Sequence, residues 1–533
     1  MKLLIKILIT IIAGTSSVSL LAHNESKNDE PNVIIVFTDD LGYGDLSCYN
    51  NESKIITPNL DNLAKKGVVF TNAHSSSSVC TPSRYGLLTG EYSWKSRLKS
   101  GVLAGYSKTL IKENQPTIAS MLKSKGYKTA VIGKWHLGMD FQTINGKTLT
   151  NSQEHSGENV DFTKHIKNSP VSHGFDYFYG IAASLDMPPY LMIENDTLIK
   201  QPNCKLTVKQ FTTTDNEVSN NPFLRLGDAI FGEGPETFLP KLAKKVSEKI
   251  IAYSKKKSPF FIYYAMPSPH APIAPSKEFQ GKSKIGAYGD YVMEIDHYVG
   301  DMIKTLKRTE QYNNTVILFS SDNGPEYYAY TRYLLTGHKS SGQLKGVKRD
   351  LWEGGHRVPF IISWPDGFKK ANGSIIDNAV CLTDIYATLS DLAGHKITNN
   401  EAADSYSLLP LITKEGSFKR NYVIHHSGDG KFAIRKGDWV LIEFGIGDAN
   451  HKFSRPGFRT SEYYKKLGYN IPKYQPLGQL YNLKNDIREY NDVYAMHPEI
   501  VKELDSYIQK ASIGFHTLRN NYMKHQGEKI LVK

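Results

Sequence analysis

Residues 32–40 read NVIIVFTDD, a continuous apolar run that ends abruptly in two carboxylates. An apolar run without polar alternation is typical of a strand buried on both faces, as in a parallel sheet covered by helices. Three further runs have the same form: TAVIG (129–133) precedes KWH, PFFIYYAM (259–266) precedes PSPH, and TVILFS (315–320) precedes SDN. We expect these four runs to be strands of one sheet.

Helical patterns lie between these strands. TPNLDNLAKKG (57–67) and QPTIASMLKSKG (115–126) each carry proline near the start and glycine at the end, as helices often do. YGDYVMEIDHYVGDMIKTLKR (288–308) has apolar residues at helical spacing. The alternation of strand and helix predicts an α/β fold.

The pattern changes after about residue 410. Residues 422–444, YVIHHSGDGKFAIRKGDWVLIEF, predict short antiparallel strands with turns at 428–430 and 436–438, and HPEIVKELDSYIQKA (497–511) predicts a helix. We therefore expect a larger N-terminal domain over 23–409 and a smaller α+β subdomain over 410–533. The polar stretch 142–169 predicts a long surface loop or insertion.

The N-terminus has the pattern of a signal peptide. Residues 1–22 contain lysine, a short apolar run and then small residues ending at Ala22. We expect this segment to direct export, so that the mature protein is periplasmic or secreted. No cysteine follows the apolar run and no second run reaches spanning length, so we expect no membrane anchor.

Composition limits the class of protein and of partner. An apolar content of 40% with 22% charged residues is ordinary for a globular protein. The four scattered cysteines argue against a disulfide-built scaffold, and their spacing matches no zinc motif. The net charge of +12 favours an anionic partner, for which we expect a charged polysaccharide and not a nucleic acid. Much of the surplus lies in 241–257, where a solvated helix face is the simpler interpretation.

Oxygen-bearing side chains follow two of the predicted strands. Asp39 and Asp40 end the first run, and Asp322 and Asn323 follow another. In open α/β sheets, ligands bind beyond the carboxyl ends of the strands. Three carboxylates and one amide oxygen are hard ligands that suit Ca²⁺ or Mg²⁺. The alternative is that each pair is an ordinary turn or cap.

Basic side chains follow the other strands. Lys134 and His136 leave one strand, His270 leaves another, and Arg84 lies one helical turn beyond Cys80. A divalent cation beside arginine and lysine suits an anionic tetrahedral group, a phosphate or a sulfate ester. One histidine could protonate the leaving oxygen and another could accept a proton. Each histidine taken alone is more often a surface or core residue.

Seven motifs together resemble the type I, formylglycine-dependent sulfatases of the alkaline phosphatase superfamily, among them secreted bacterial polysaccharide sulfatases and arylsulfatases. The motifs are TDDLGYGDL (38–46), CTPSR (80–84) continuing to GLLTG, GKWHLG (133–138), HGFDYFYG (173–180), SPHAP (268–272), SDNG (321–324) and KGVKRDLWEGGHRVP (345–359). They occur in the family's order, from about Pro31 to the C-terminus. The resemblance implies an alkaline phosphatase-like fold, with a large, mixed, mostly parallel sheet sandwiched by helices and a smaller C-terminal α+β subdomain containing an antiparallel sheet.

The resemblance also implies the nucleophile and the metal site. Cys80 is expected to be oxidised to Cα-formylglycine (3-oxoalanine) by a sulfatase-maturing, formylglycine-generating enzyme, and the hydrated aldehyde is the nucleophile of the family. Asp39, Asp40, Asp322 and Asn323 match the family's metal ligands, normally for Ca²⁺ with Mg²⁺ as the alternative. The modified Cys80 completes that shell.

Five basic residues match family positions around the ester. By resemblance, Arg84 and Lys134 hold formylglycine and the developing negative charge, and His136 is the base that triggers sulfate release. His270 and Lys348 match the pair that contacts the ester, with His270 as the acid. Lys348 is preferred to Lys345 because it stands five residues before Glu353, the spacing expected in the family.

The predicted substrate is a sulfate monoester of a carbohydrate, an oligosaccharide derived from a sulfated polysaccharide, with inorganic sulfate as a product. His173 and His338 are candidates for contact with the sugar. One alternative is a phosphonate monoester or phosphodiester hydrolase with the same site. The other is a non-catalytic glycan-binding relative, which would arise if Cys80 were never oxidised.

Overall fold

The computed structural model describes residues 30–206, 225–443, 460–469 and 478–512, so the predicted signal peptide lies outside the described residues. The strands are β1 Asn32–Asp39, β2 Val68–Phe70, β3 Ala73–His74, β4 Lys128–Lys134, β5 Tyr177–Ile181, β6 Ile193–Glu194, β7 Thr197–Leu198, β8 Cys204–Leu206, β9 Gly227–Ala229, β10 Phe260–Pro269, β11 Thr315–Ser321, β12 Phe360–Ser363, β13 Ile375–Ile376, β14 Val380–Cys381, β15 Val423–His426, β16 Phe432–Lys436, β17 Trp439–Glu443 and β18 Gly478–Asn482.

The α-helices are α1 Pro58–Lys66, α2 Cys80–Thr89, α3 Ile118–Ser124, α4 Asn151–Ser156, α5 Phe238–Ser254, α6 Ala287–Arg308, α7 Tyr328–Thr336, α8 Glu353–His356, α9 Asp384–Leu392, α10 Leu409–Thr413, α11 Thr460–Lys466 and α12 Pro498–Ala511. Short 3₁₀ helices cover Tyr43–Asp45, Ser93–Lys95, Pro170–His173, Pro235–Thr237 and Tyr494–Met496. The three helices predicted before residue 310 match α1, α3 and α6.

The main sheet confirms the predicted α/β architecture. Its ten strands lie in the order β13-β2-β12-β11-β1-β10-β4-β5-β6-β7. The four strands predicted from the apolar runs are neighbours at its centre, and β11, β1, β10, β4 and β5 all run parallel. Antiparallel pairing of β12 with β11 and of β6 with β5 makes the sheet mixed.

Helices cover both faces of the sheet because β1 is apolar on both sides. Ile34 and Val36 enter the hydrophobic cluster that includes residues of α5 and α6. Val33, Ile35 and Phe37 enter the cluster on the opposite face, with residues of α2, α3 and α9. Burial of both faces therefore explains why the sequence of β1 lacks polar alternation.

The C-terminal region contains the expected second sheet. Strands β15, β16, β17 and β18 form an antiparallel meander, and α12 packs against β16 and β17. Tyr92 and Trp94 of the N-terminal region share a hydrophobic cluster with this sheet. The sheet is thus packed on the main unit, and the domain boundary at 410 stays a prediction.

Two segments for which the sequence predicted exposed polar surface are the stretch 142–169 and the lysine-rich helix α5. The stretch 142–169 contains the short helix α4, none of whose residues is buried, so it is not a loop throughout. Helix α5 buries Leu242, Val246 and Ile250 on one face, which agrees with the expectation that its lysines belong to a solvated face. Among the described helices, none has both the length and the apolarity needed to cross a bilayer.

Candidate active site

The carboxyl ends of β1 and β11 bring the predicted oxygen ligands together. The two strands are in register, with Thr38 opposite Ser321, so they end level. Asp40 then turns the chain at φ 65°, a left-handed conformation that aspartate tolerates better than most residues. Its backbone N–H donates to Asp322 Oδ1 at 3.2 Å, which ties the two strand ends to each other.

Cys80 is the first residue of α2 and lies against this edge of the sheet. The side chain is buried, with 2% of the residue exposed. Its sulfur and one carboxylate oxygen each of Asp39 and Asp322 lie within 4.8 Å of one another. The position therefore combines a helix N-terminus, where anions are favoured, with two carboxylates.

Arg84, one turn further along α2, bridges two of the carboxylates. Its Nε and Nη2 donate to Asp322 Oδ2 at 3.0 and 2.8 Å, and Nη2 lies 3.7 Å from Asp39 Oδ1. The guanidinium also lies over the ring of Phe37, 5.3 Å from its centroid. With no exposed surface, Arg84 is held in one orientation.

Two lysines complete the buried charge cluster. Lys134 Nζ donates to Asp39 Oδ2 at 2.7 Å, and Lys348 Nζ contacts Asp40 Oδ1 at 2.7 Å and Oδ2 at 2.8 Å. Lys345 instead lies over the rings of Trp352 and Tyr469, 3.9 Å from each centroid. The structure thus brings Lys348, and not Lys345, to the candidate site.

Burial and charge act in opposition on the titration of this cluster. Burial raises the pKa of Asp39, but the charges of Lys134, His270 and Arg84 outweigh it, so the pKa is lowered overall. Burial, reinforced by the charge of Asp39, raises the pKa of Asp322. Burial also raises the pKa of Cys80, which keeps its side chain a neutral thiol at neutral pH.

The two predicted catalytic histidines have distinct hydrogen bonds. His270 Nδ1–H donates to the carbonyl of Ala271 at 2.5 Å, which leaves Nε2 3.5 Å from Asp40 Oδ2. His136 Nε2–H donates to the carbonyl of Leu103 at 2.9 Å, and its Nδ1 has no hydrogen-bond partner among the described residues. Burial holds the pKa of His136 well below its ordinary value, so its Nδ1 carries a free lone pair.

The oxygen atoms of the cluster fit a hard divalent cation. Asp39 Oδ1 and Asn323 Oδ1 are buried acceptors to which no described residue donates a hydrogen bond. Asn323 Nδ2 donates to Asp40 Oδ1 at 2.7 Å, which fixes the orientation of that amide. Buried acceptors without a donor are costly, and a cation that prefers oxygen ligands would satisfy them. The donor set therefore fits Ca²⁺ or Mg²⁺.

A cavity of about 270 Å³ opens at Cys80, His270 and Lys348, and its walls include charged residues that the sequence analysis missed. These are Asp186, Arg225, Glu326, Arg349 and Asp429. Glu326 pairs with Arg349, whose Nη2 donates to Oε2 at 2.8 Å, and lies 3.8 Å from Lys348 Nζ. Burial alone would raise the pKa of Glu326, but the charge of Arg349 lowers it to about 2.

Proximity in the sequence could have indicated two of these residues. Glu326 stands three residues after Asn323, and Arg349 directly follows Lys348. Asp186 and Arg225 carry no such signal, because the fold alone brings them to the cavity.

The expected sugar contacts of His173 and His338 stay predictions, and neither residue is in the wall of this cavity. His173 is buried, contacts Thr109 Oγ1 through Nε2 at 3.1 Å and stacks on Trp135. His338 is wholly buried, with Nε2 bonded to Asp45 Oδ1 at 2.8 Å and Nδ1 accepting from the backbone of Lys54 at 3.2 Å. Both rings are thus engaged inside the protein.

Comparison with known proteins identifies relatives over most of the chain. A family model described as Sulfatase matches residues 31–395. An N-acetylgalactosamine-6-O-sulfatase of Bacteroides thetaiotaomicron is 33% identical over 515 residues, which cover 91% of this chain and 94% of that protein. Human arylsulfatase A is 31% identical over 431 residues, covering 79% of this chain and 76% of the relative.

A solved structure has the same fold. It comes from work on glycosaminoglycan metabolism by Bacteroides thetaiotaomicron and superposes with a TM-score of 0.73 at 30% identity. The match covers 91% of this chain and 100% of that one. Fold and sequence similarity therefore extend together over almost the whole length.

Proposed function

This chain belongs to the sulfatase family, and we propose that it is an exported carbohydrate sulfatase that hydrolyses sulfate monoesters of sugars and releases inorganic sulfate. Membership makes it a sulfuric ester hydrolase. The sugar is proposed from its 33% identical relative, whose name specifies N-acetylgalactosamine 6-O-sulfate. That ester is accordingly the first substrate to test.

The observation that carries the proposal is the position of Cys80. Its sulfur lies within 4.8 Å of oxygens from Asp39 and Asp322, at the start of a helix and in the wall of a cavity. The buried cations of Arg84 and Lys134 both contact Asp39, and Arg84 also contacts Asp322. A reactive group at position 80 would thus face an anionic ester surrounded by positive charge.

We propose that Asp39, Asp40, Asp322 and Asn323, with modified Cys80, hold a Ca²⁺ ion, with Mg²⁺ as the alternative. Without a cation, the three carboxylates are balanced by Arg84, Lys134 and Lys348. When bound, the cation supplies the excess positive charge that draws the sulfate group in and stabilises negative charge on its oxygens.

Cys80 is proposed to be oxidised to formylglycine by a sulfatase-maturing enzyme of the producing cell. In this change sulfur and two hydrogen atoms leave the side chain, one oxygen atom enters, and the maturing enzyme supplies the oxidant. Once hydrated, the side chain supplies two hydroxyl groups, one to attack sulfur and one to release sulfate as the aldehyde returns. The buried thiol of unmodified Cys80 has neither.

The surrounding residues divide the proton transfers. His270 uses Nδ1 to donate to a carbonyl, so Nε2 is the atom that can deliver a proton to the leaving alcohol oxygen. Lys348, which like His270 approaches Asp40, adds positive charge to the same cavity. His136 presents the unpartnered Nδ1 lone pair as the base for sulfate release. Arg84 and Lys134, fixed by buried carboxylates, orient the nucleophile.

Two alternatives make different predictions. A phosphonate monoester or phosphodiester hydrolase would use the same charges, because both groups are tetrahedral anions. A glycan-binding relative would retain an unmodified Cys80. We favour the sulfatase because the matched family and both named relatives are sulfatases.

The test is release of sulfate from N-acetylgalactosamine 6-sulfate by protein produced together with a sulfatase-maturing enzyme. Ion chromatography should detect stoichiometric sulfate, and Cys80→Ala should release none. Bis(4-nitrophenyl) phosphate, measured beside 4-nitrophenyl sulfate, compares the two ester classes with one leaving group. Faster turnover of the phosphodiester would favour the phosphodiesterase, and tight binding of sulfated sugars without turnover of any ester would favour the binding protein.

A further inference from the structure

Asp186 and Arg225 form a charged pair in the wall of the cavity, next to His270. Arg225 Nη1 donates to Asp186 Oδ2 at 3.0 Å, and the backbone N–H of Arg225 donates to the Asp186 carbonyl at 3.2 Å. Only 4% of Asp186 is exposed, whereas 35% of the Arg225 side chain is. The pair thus combines a buried carboxylate with a partly exposed guanidinium.

One oxygen of Asp186 lacks a donor. Oδ1 is buried and accepts no hydrogen bond from any described residue. His270 Nδ1 lies 4.0 Å from Oδ1, but its hydrogen is already donated to the Ala271 carbonyl. A buried carboxylate oxygen without a donor costs free energy, unless a ligand supplies the missing hydrogen bond.

Arg225 complements this acceptor with donors. Among the described residues, its Nε and Nη2 have no hydrogen-bond partner, and the contacts of its guanidinium go through Nη1 to Asp186. The pair therefore presents one acceptor and several donors side by side. Adjacent oxygens of a sugar ring match this pattern, because a hydroxyl both donates and accepts.

We propose that Asp186 and Arg225 form a subsite for an uncharged sugar ring, with Asp186 Oδ1 accepting from a free hydroxyl near the scissile ester and Arg225 donating to a neighbouring oxygen. The inference rests on the proposed sulfatase function and deepens it. His270 is the proposed acid for the leaving alcohol, so a residue beside it contacts the sugar and not the sulfate.

The subsite restricts the substrate class. A second sulfate or a carboxylate in place of the free hydroxyl would put like charges together at a buried carboxylate and leave Oδ1 without its donor. The cavity of about 270 Å³ is smaller than the about 300–1,000 Å³ of sites for drug-sized ligands, which suits one ring. The preferred substrate is thus a monosulfated neutral sugar.

Asp186→Asn tests the subsite with two substrates. The amide oxygen should stay with Arg225, so the amide nitrogen replaces Oδ1 and converts the acceptor into a donor. We expect kcat/KM for N-acetylgalactosamine 6-sulfate to fall about 10- to 100-fold, the usual effect of one hydrogen bond to a charged group. For 4-nitrophenyl sulfate, which has no sugar hydroxyl, kcat/KM should stay within about threefold. Discrimination against N-acetylgalactosamine 4,6-disulfate should weaken in the same variant.

Two further variants separate recognition from folding and charge. Arg225→Lys keeps the charge but loses the planar fork, so it should also impair the sugar substrate selectively. Asp391→Asn makes the same charge change at an exposed site outside the cavity and should affect neither substrate.

Equal loss of both activities in Asp186→Asn would overturn the subsite and indicate a general disturbance of the site. Selective loss of the sugar substrate with unchanged discrimination against the 4,6-disulfate would also overturn it and indicate that Asp186 acts through His270, because loss of the acid spares 4-nitrophenyl sulfate in the same way. Unchanged sugar kinetics would also overturn it. If the parent enzyme turns over 4-nitrophenyl sulfate but no monosulfated sugar, the subsite fails while sulfatase chemistry stands. If it turns over neither ester, the proposed function fails as well.

Discussion

Glu294 of α6 should make the stability of this protein depend on pH near neutrality. The residue is fully buried, and one oxygen accepts from the backbone of Ser276 at 2.9 Å while Oε1 has no hydrogen-bond partner among the described residues. Burial raises the pKa of Glu294 from the usual 4.5 to about 7. Between these two pH values the folded state retains a proton that the unfolded state has lost.

The sign and size of the effect follow from proton linkage. Because Glu294 has a higher pKa in the folded than in the unfolded state, its stabilising contribution is fully present below about pH 4.5. The contribution decreases as the pH rises and is lost above about pH 7. The difference between 4.5 and about 7 corresponds to about 3 kcal/mol at most. Glu294→Gln keeps an acceptor for Ser276 and cannot ionise, so its stability should lack this decrease.

Urea unfolding of both proteins at pH 5 and pH 8 measures this difference. From pH 5 to pH 8, the free energy of unfolding of Glu294→Gln should rise by up to about 3 kcal/mol relative to that of the parent. Any cost of the new amide N–H is the same at both pH values and cancels in the comparison. Glu113→Gln, an exposed position with the same charge change, is the control. An equal pH dependence in the parent and Glu294→Gln would refute the assigned titration.

Three predictions concern the active site. Asp322→Asn removes a negatively charged ligand, so it should lower sulfatase activity at least about 100-fold and raise the Ca²⁺ concentration for half-maximal activity. A Ca²⁺ titration of the chelated protein measures both effects. Lys348→Met should lower kcat about 100- to 1,000-fold, whereas Lys345→Met should mainly lower the melting temperature, because Lys345 packs on aromatic rings and donates to a carbonyl. His270→Gln should slow a sugar sulfate about 100-fold or more but 4-nitrophenyl sulfate much less, since nitrophenolate leaves without a proton.

The centre of the fold could be predicted because its strands are buried on both faces. The runs at β1, β4, β10 and β11 have no polar alternation, and each ends in polar residues at one edge of the sheet. The edge strands could not be predicted, since β6, β7 and β13 have two residues each and take their place from tertiary pairing. The order of the strands in the main sheet could not be predicted from the sequence either.

The residues of the candidate site also differ in how far the sequence alone could predict their positions. The oxygen ligands and Lys134 follow strands in sequence, so strand prediction places them at one edge, whereas Arg84 and Lys348 follow no predicted strand and were assigned by the resemblance of their motifs. Asp186 and Arg225 lie outside the quoted motifs and meet at the cavity only through the fold. His173 begins the family-like motif HGFDYFYG, whereas His338 lies outside the quoted motifs, and their neighbours Thr109 and Asp45 each contact a ring Nε2. A motif indicates that a residue matters without indicating whether it faces the substrate.

The chemical state of position 80 decides whether this protein can be a formylglycine-dependent sulfatase, and the mass of the peptide containing Cys80 measures that state. In protein from a cell with a sulfatase-maturing enzyme, the peptide should be about 18 Da lighter than its thiol form, and the fraction converted should match the fraction of active enzyme. Full sulfate release by protein whose peptide retains the cysteine mass would show that formylglycine at position 80 is not the nucleophile.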